Sequence, residues 1–157
     1  MEAVRSDGEA KVYNGFLGTH RHTVDAKGRL VMPAKYRGRL AGGVVITHSP
    51  DRCLHVYTAE GFEAQHAELV SGSQKSRDFR LQSRGLMGLA EDQELDTAGR
   101  IMLPPGMRAE VGIERDVVIV GVGPYMEVWD ARRWPEEETR AKAALQQYQD
   151  EPGEEEA

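Results

Sequence analysis

Asp25-Ala26-Lys27-Gly28-Arg29-Leu30-Val31-Met32-Pro33 returns further along the chain as Asp96-Thr97-Ala98-Gly99-Arg100-Ile101-Met102-Leu103-Pro104. Aspartate, glycine, arginine and proline keep identical spacings, so the sequence reads as one folding unit written twice. The correspondence extends outward from the motif. Arg37 falls opposite Arg108, Val44 to Ile46 opposite Val117 to Ile119, Leu54 to Tyr57 opposite Met126 to Trp129, and Phe62 opposite Trp134. Apolar residues recur at matched places while the polar ones between them drift. Two halves that share a backbone but not a surface produce this pattern.

Within each copy the local signals are those of short strands and helices. Thr19 to Val24 alternates as a strand, Asp25 to Gly28 has turn chemistry, and Arg29 to Met32 resumes extended structure, which predicts a hairpin or tight reversal. Pro33 suits the first turn of a short helix whose buried face carries Tyr36 and Leu40, with Gly42-Gly43 ending it. Val44 to Thr47 and Leu54 to Tyr57 form a second hairpin signal around Ser49-Pro50-Asp51-Arg52. Thr58 then caps a helix with Phe62, His66, Leu69 and Val70 on one face. Ser71-Gly72-Ser73 breaks it, and a further helix is expected from Lys75 to about Leu86. The segment after Trp134 is rich in helix formers, with acids in its first turn where the helix dipole favours them. The expected organisation is an N-terminal extension (1–14), a first repeat (15–71), a helical connector (72–88), a second repeat (89–134), and a C-terminal helix with an acidic tail (135–157).

A chain of 157 residues can bury one core but hardly two independent ones. Cys53 is its sole cysteine, which excludes an intrachain disulfide and favours a reducing, cytoplasmic setting. No apolar run approaches the roughly 20 residues of a membrane span, and the first residues carry no apolar signal stretch.

The formal net charge of -6 argues against a nucleic-acid partner until the charges are located. Between Gly18 and Leu40 six bases (Arg21, Lys27, Arg29, Lys35, Arg37, Arg39) face the single acid Asp25, whereas Asp92 to Asp116 holds three bases and six acids. From Asp130 onward nine acids outnumber four bases. The first repeat is therefore a concentrated positive patch, and much of the negative total lies in the tail. In the motif itself the aspartate can accept turn N–H groups or pair with the arginine, glycine supplies the backbone freedom, and the guanidinium is left in a fixed pose. A planar fork held this way suits phosphate or guanine.

Phe16 to Arg37, together with Gly99 to Arg108 and Val117 to Asp130, resembles the MraZ family, the double-copy branch of the SpoVT-AbrB family; the likeness covers about Phe16 to Trp134. That resemblance implies an α+β fold in which tandem AbrB-like halves form a pseudo-two-fold swapped-hairpin β-barrel with short and peripheral helices, assembled into a ring-shaped homo-oligomer. It also implies a cytoplasmic, nucleoid-associated transcriptional regulator, read as a repressor, that binds repeated elements in double-stranded promoter DNA of the division and cell-wall gene cluster containing its own gene. The DNA-binding residues expected are Arg21, Lys27, Arg29, Arg37 and Arg100; the charge contrast between the repeats puts Lys27 and Arg29 in the lead, helped by Arg21 and Arg37, with Arg100 secondary or structural. The structural motif is Asp25, Gly28, Pro33, Asp96, Gly99 and Pro104.

The remaining constellations weigh less. His20 and His22 share a strand face and could join His48 or His55 at a metal, but no other ligand pattern accompanies them, so no metal or cofactor is expected. Cys53 reads as packed apolar matter. Lys75, Arg77, Arg80 and Arg84 read as a solvated face. Gly72-Ser73 reads as a linker rather than a self-processing bond, and with no nucleophile, base and oxyanion set in view, neither catalysis nor a small-molecule substrate is expected. The rival reading is an antitoxin-like AbrB module that holds a protein partner through its C-terminal tail.

Overall fold

The computed structural model describes residues 3–4, 10–11, 13–70 and 76–150. Apart from a two-residue ladder between Ala3–Val4 (β1) and Ala10–Lys11 (β2), the expected extension is described only from Tyr13. The Ser71-Gly72-Ser73 break, Lys75 and the tail beyond Asp150 lie outside the described residues.

The first copy contributes Thr19–Thr23 (β3), Arg29–Val31 (β4), a 3₁₀ turn at Ala34–Tyr36, Val44–His48 (β5), Leu54–Thr58 (β6) and the helix Ala59–Val70 (α1). Arg77–Ser83 (α2) runs into a π-helical turn at Arg84–Gly88. The second copy follows as Glu91–Gln93 (β7), Arg100–Met102 (β8), Pro105–Glu110 (α3), Asp116–Gly121 (β9) and Met126–Asp130 (β10), and Trp134–Asp150 (α4) closes the chain. The helix starts are set by local chemistry. The Gly61 N–H donates to Thr58 Oγ1 at 2.8 Å and the Phe79 N–H to Ser76 Oγ at 3.2 Å, each satisfying a donor the helix cannot.

The strands form an antiparallel six-stranded sheet in the order β3-β9-β10-β6-β5-β7, and β4 and β8 form a separate two-stranded ribbon. The fold is α+β, an antiparallel sheet with four helices, but the barrel expectation needs correcting: the large sheet is open, ending at β3 and β7. Of the hairpin or tight reversal expected at Asp25, the tight reversal is what forms. The chain does reverse there, with the Gly28 N–H donating to Asp25 O at 2.9 Å and the Asp25 N–H to Arg29 O at 2.9 Å. The arms then separate, because β3 spends its edge on β9 and β4 on β8. In the second copy β7 pairs with β5, and the copies meet again where β6 pairs with β10.

The ribbon lies over one face of the sheet. Leu30 and Ile101, directly paired across it, are 0% and 1% exposed. They join one continuous core with matched residues of both copies, among them Met32 and Leu103, Ile46 and Ile119, Val56 and Val128. The other face carries two smaller clusters. Phe62 of α1 packs on Val45 and Tyr57, while Trp134 at the start of α4 packs with Trp129, Val118, Val120 and Cys53.

Leu30→Ala is expected to lower unfolding free energy in urea by about 3 kcal/mol, the usual cost of deleting a fully buried leucine side chain. A loss below about 1 kcal/mol would mean that the ribbon is not part of the cooperative core.

Candidate nucleic-acid interface

Each copy holds its arginine by the same three-point arrangement. Asp25 Oδ1 accepts the N–H groups of Lys27 and Arg29, both at 2.9 Å, and Oδ2 accepts Arg29 Nε at 2.7 Å. Asp96 repeats this with Ala98 N–H and Arg100 N–H at 2.9 Å, and with Arg100 Nε at 2.7 Å. The turns need left-handed backbone at Gly28 (φ 82°) and Gly99 (φ 76°), which costs glycine nothing.

The turns are also clamped crosswise. Met32 N–H donates to Gly99 O at 2.9 Å and Leu103 N–H to Gly28 O at 2.8 Å. Arg37 Nε donates to Met32 O at 3.2 Å, and its side chain lies so close to Gly99 that an added Cβ would stand 2.5 Å from Nε. Arg108 repeats the first contact on Leu103 O at 3.2 Å and faces Gly28. Pro33 and Pro104, with φ of -53° and -57°, turn the chain from each ribbon strand into its short helix.

Burial alternates along the ribbon, so Arg29, Val31, Arg100 and Met102 share its outer face while Leu30 and Ile101 point inward. Arg29 stands opposite Met102, and Arg100 opposite Val31. The two arginines are therefore diagonal neighbours, with Cα atoms roughly 7–8 Å apart. Their side chains are 33% and 29% exposed, with the Nε edge turned to the aspartate. Lys27 is exposed at the turn tip, as is its counterpart Ala98.

The other expected site residues are placed differently. Arg21 is exposed but stands opposite Val118 in the ladder, on the sheet face away from the ribbon. Arg37 is half-buried under the opposite turn. The histidines do not gather: His20 meets the Tyr36 ring at 5.8 Å, His48 pairs with Glu110 at 3.1 Å, and His55 with Glu127 at 3.3 Å. Burial, then His20 and Arg37, lowers the pKa of His22, which disfavours its charged form. Arg39 stacks on Phe16 at 3.9 Å, a cation–π contact without a visible sequence signal.

The sequence pattern of the family described as "MraZ protein, putative antitoxin-like" matches the chain twice, over residues 16–85 and 86–151. The chain belongs to the MraZ family. Proteins named transcriptional regulator MraZ are similar to it along most of their length. The one from Micrococcus luteus is 39% identical over 76% of this chain and 83% of its own. For Clavibacter michiganensis subsp. michiganensis the values are 38%, 83% and 91%, and for Paenarthrobacter aurescens 36%, 86% and 94%. In this MraZ-family chain the matched halves differ in charge at equivalent places: Arg21 against Asp92, Thr23 against Glu94, Lys27 against Ala98, Arg39 against Glu110.

The Arg29 N–H bond, aided by the guanidinium and the Lys27 N–H, holds the Asp25 carboxyl below its usual range against the opposing effect of burial. Asp96 is lowered in the same way by Arg100 and Ala98. A depressed folded-state pKa contributes stability above the unfolded value of about 3.9, and that contribution disappears as pH falls through the folded value. Asp25→Asn/Asp96→Asn is expected to melt below wild type at pH 7, and the gap is expected to close as pH drops below about 4, read by calorimetry. A gap that persists into acid would put the loss down to packing.

Proposed function

We propose that the chain is a sequence-specific DNA-binding transcriptional regulator without catalytic activity, in keeping with the name its relatives carry. One observation carries the reading: two arginines, each held by its own aspartate, lie side by side on the outer face of one ribbon. Pre-oriented guanidinium forks lose little entropy on meeting phosphate or a guanine edge. Lys27 and Arg29 lead, Arg100 is secondary amid Asp92, Glu94 and Asp96, and Arg21 reaches DNA only where the duplex extends past the edge strand. Arg37 acts mainly by clamping the Gly99 turn.

The finer reading follows the family resemblance. The halves are read as tandem AbrB-like swapped hairpins, a reading supported by the pairing of β3 with β9 and of β7 with β5 across the copies. Copies of the chain form a ring-shaped homo-oligomer that brings several basic patches to repeated elements in the promoter of the division and cell-wall gene cluster containing its own gene. It represses that cluster from the cytoplasm, associated with the nucleoid. No helix among the described residues is long and apolar enough to cross a membrane. Several weak footholds on one particle raise avidity by roughly 10² to 10⁴, which offsets the acidity of the single chain.

A second reading, an antitoxin-like module that binds a protein partner through its tail, draws on Leu145 and Tyr148, which are 56% and 77% exposed on α4. Mobility shift of the DNA upstream of the protein's own gene separates the two. Under the DNA reading Arg29→Ala weakens binding at least about 10-fold with the oligomer intact by light scattering, Arg100→Ala weakens it less, and removal of residues 143–157 has little effect. Affinity should fall with salt by about 0.9 log unit per neutralised phosphate for each decade. Salt-insensitive binding, or equal losses from the two arginines, counts against the proposed asymmetry. Loss of all partner binding on truncation alone favours the tail.

A further inference from the structure

On the sheet face away from the ribbon, three chemically distinct ligand groups converge. Cys53 Sγ, a His55 ring nitrogen and a Glu127 carboxylate oxygen all lie within 4.8 Å of one another. The backbone brings them together: His55 and Glu127 are direct cross-strand partners in the ladder joining β6 to β10, and Cys53 immediately precedes β6. Cys53 is fully buried, and the His55 and Glu127 side chains are each 13% exposed. We propose that Cys53, His55 and Glu127 bind a thiophilic divalent cation, zinc in the first instance, which staples the first repeat to the second.

The donor set suits such an ion. Thiolate, imidazole and carboxylate are the common zinc ligands, and tetrahedral bonds of about 2.0–2.3 Å place ligand atoms roughly 3.3–3.8 Å apart. Here His55 Nε2 and Glu127 Oε2 already stand 3.3 Å apart. A thiolate and a carboxylate neutralise a divalent charge, so the loaded site carries no net charge into its buried surroundings.

The loop ahead of β6 aims the thiol into this cluster. Arg52, the only non-glycine residue with positive φ among the described residues (φ 61°), turns the chain immediately before Cys53. Arg133 holds that turn, its guanidinium donating to Arg52 O and, at 3.4 Å, to Asp51 O. A left-handed arginine is uncommon, and here it fixes where the thiol points.

Burial pushes the Cys53 thiol up to about 12, so the unloaded site holds a neutral thiol. Burial also works to raise Glu127, but hydrogen bonds from His55 and Trp129 outweigh it and keep the carboxylate ionised. Binding therefore takes up the cation, forms the S–metal, N–metal and O–metal bonds, moves the His55 ring proton from Nε2 to Nδ1 by exchange with solvent, and releases one proton, that of Cys53, to solvent.

Cobalt(II) chloride alone, titrated into the full-length, chelator-treated chain, tests the site. The expected result is one equivalent bound with a near-ultraviolet thiolate-to-cobalt band that zinc displaces. Because Cys53 is the only cysteine, that band assigns itself. Zinc should raise the melting temperature of wild type but not of Cys53→Ala, Glu127→Gln should weaken cobalt binding at least about 10-fold, and His20→Ala should leave it unchanged. Absence of the band in folded wild type overturns the proposal, as does binding that survives Cys53→Ala or is lost in His20→Ala. DNA affinity is measured separately, so failure of either reading is distinguishable from failure of the other.

Discussion

Neither copy of the repeat can satisfy its own first strand. β3 finds its partner in β9 of the second copy and β7 in β5 of the first, while β4 and β8 have only each other. A strand edge left bare beside a packed core strands donors and acceptors that water can no longer serve. The exchange is thus the constraint from which the rest follows: each copy lends an edge strand to the other's part of the sheet, and the core beneath the ribbon takes side chains from both. The β6–β10 ladder completes the connection at the centre of the sheet.

The turns at Asp25 and Asp96 are where that exchange is steered. At each, one carboxylate fixes two backbone N–H groups and a guanidinium. The same hydrogen bonds that send the strand toward the other copy therefore orient the side chain that faces outward. Folding and presentation of the cation are one event, and the arginine is supported from below by the fold's own interior. The clamps of Arg37 and Arg108 across the pseudo-symmetry tie each turn to the opposite copy.

Much of this was legible in the residues. Identical spacings exposed the two turns, β-branched and aromatic runs on either side of Ser49 to Arg52 exposed β5 and β6, and Thr58 marked the start of α1. Partner choice was not legible, because a period of two names a strand without naming its neighbour. Hence the hairpin or tight reversal expected at Asp25 forms only as the reversal, its arms going to different partners, and the barrel that the family resemblance implied is an open sheet instead. Arg37 read as a free cation since nothing local shows that Gly99 will lie beneath it, and Arg21 grouped with Arg29 because sequence proximity conceals which face of a strand a residue occupies. Glu127 escaped notice for the same reason: only the register of β10 against β6 sets it beside Cys53 and His55.

Fusing two copies into one polypeptide removes a restriction that any assembly of identical single copies must obey. Such a pair is forced to carry the same residues at both ends of its ribbon, whereas here Lys27 at one end answers to Ala98 at the other. The ribbon consequently has a head and a tail. A two-fold symmetric surface looks the same when turned end for end, whereas this one does not, so anything that docks along the ribbon meets two distinguishable ends.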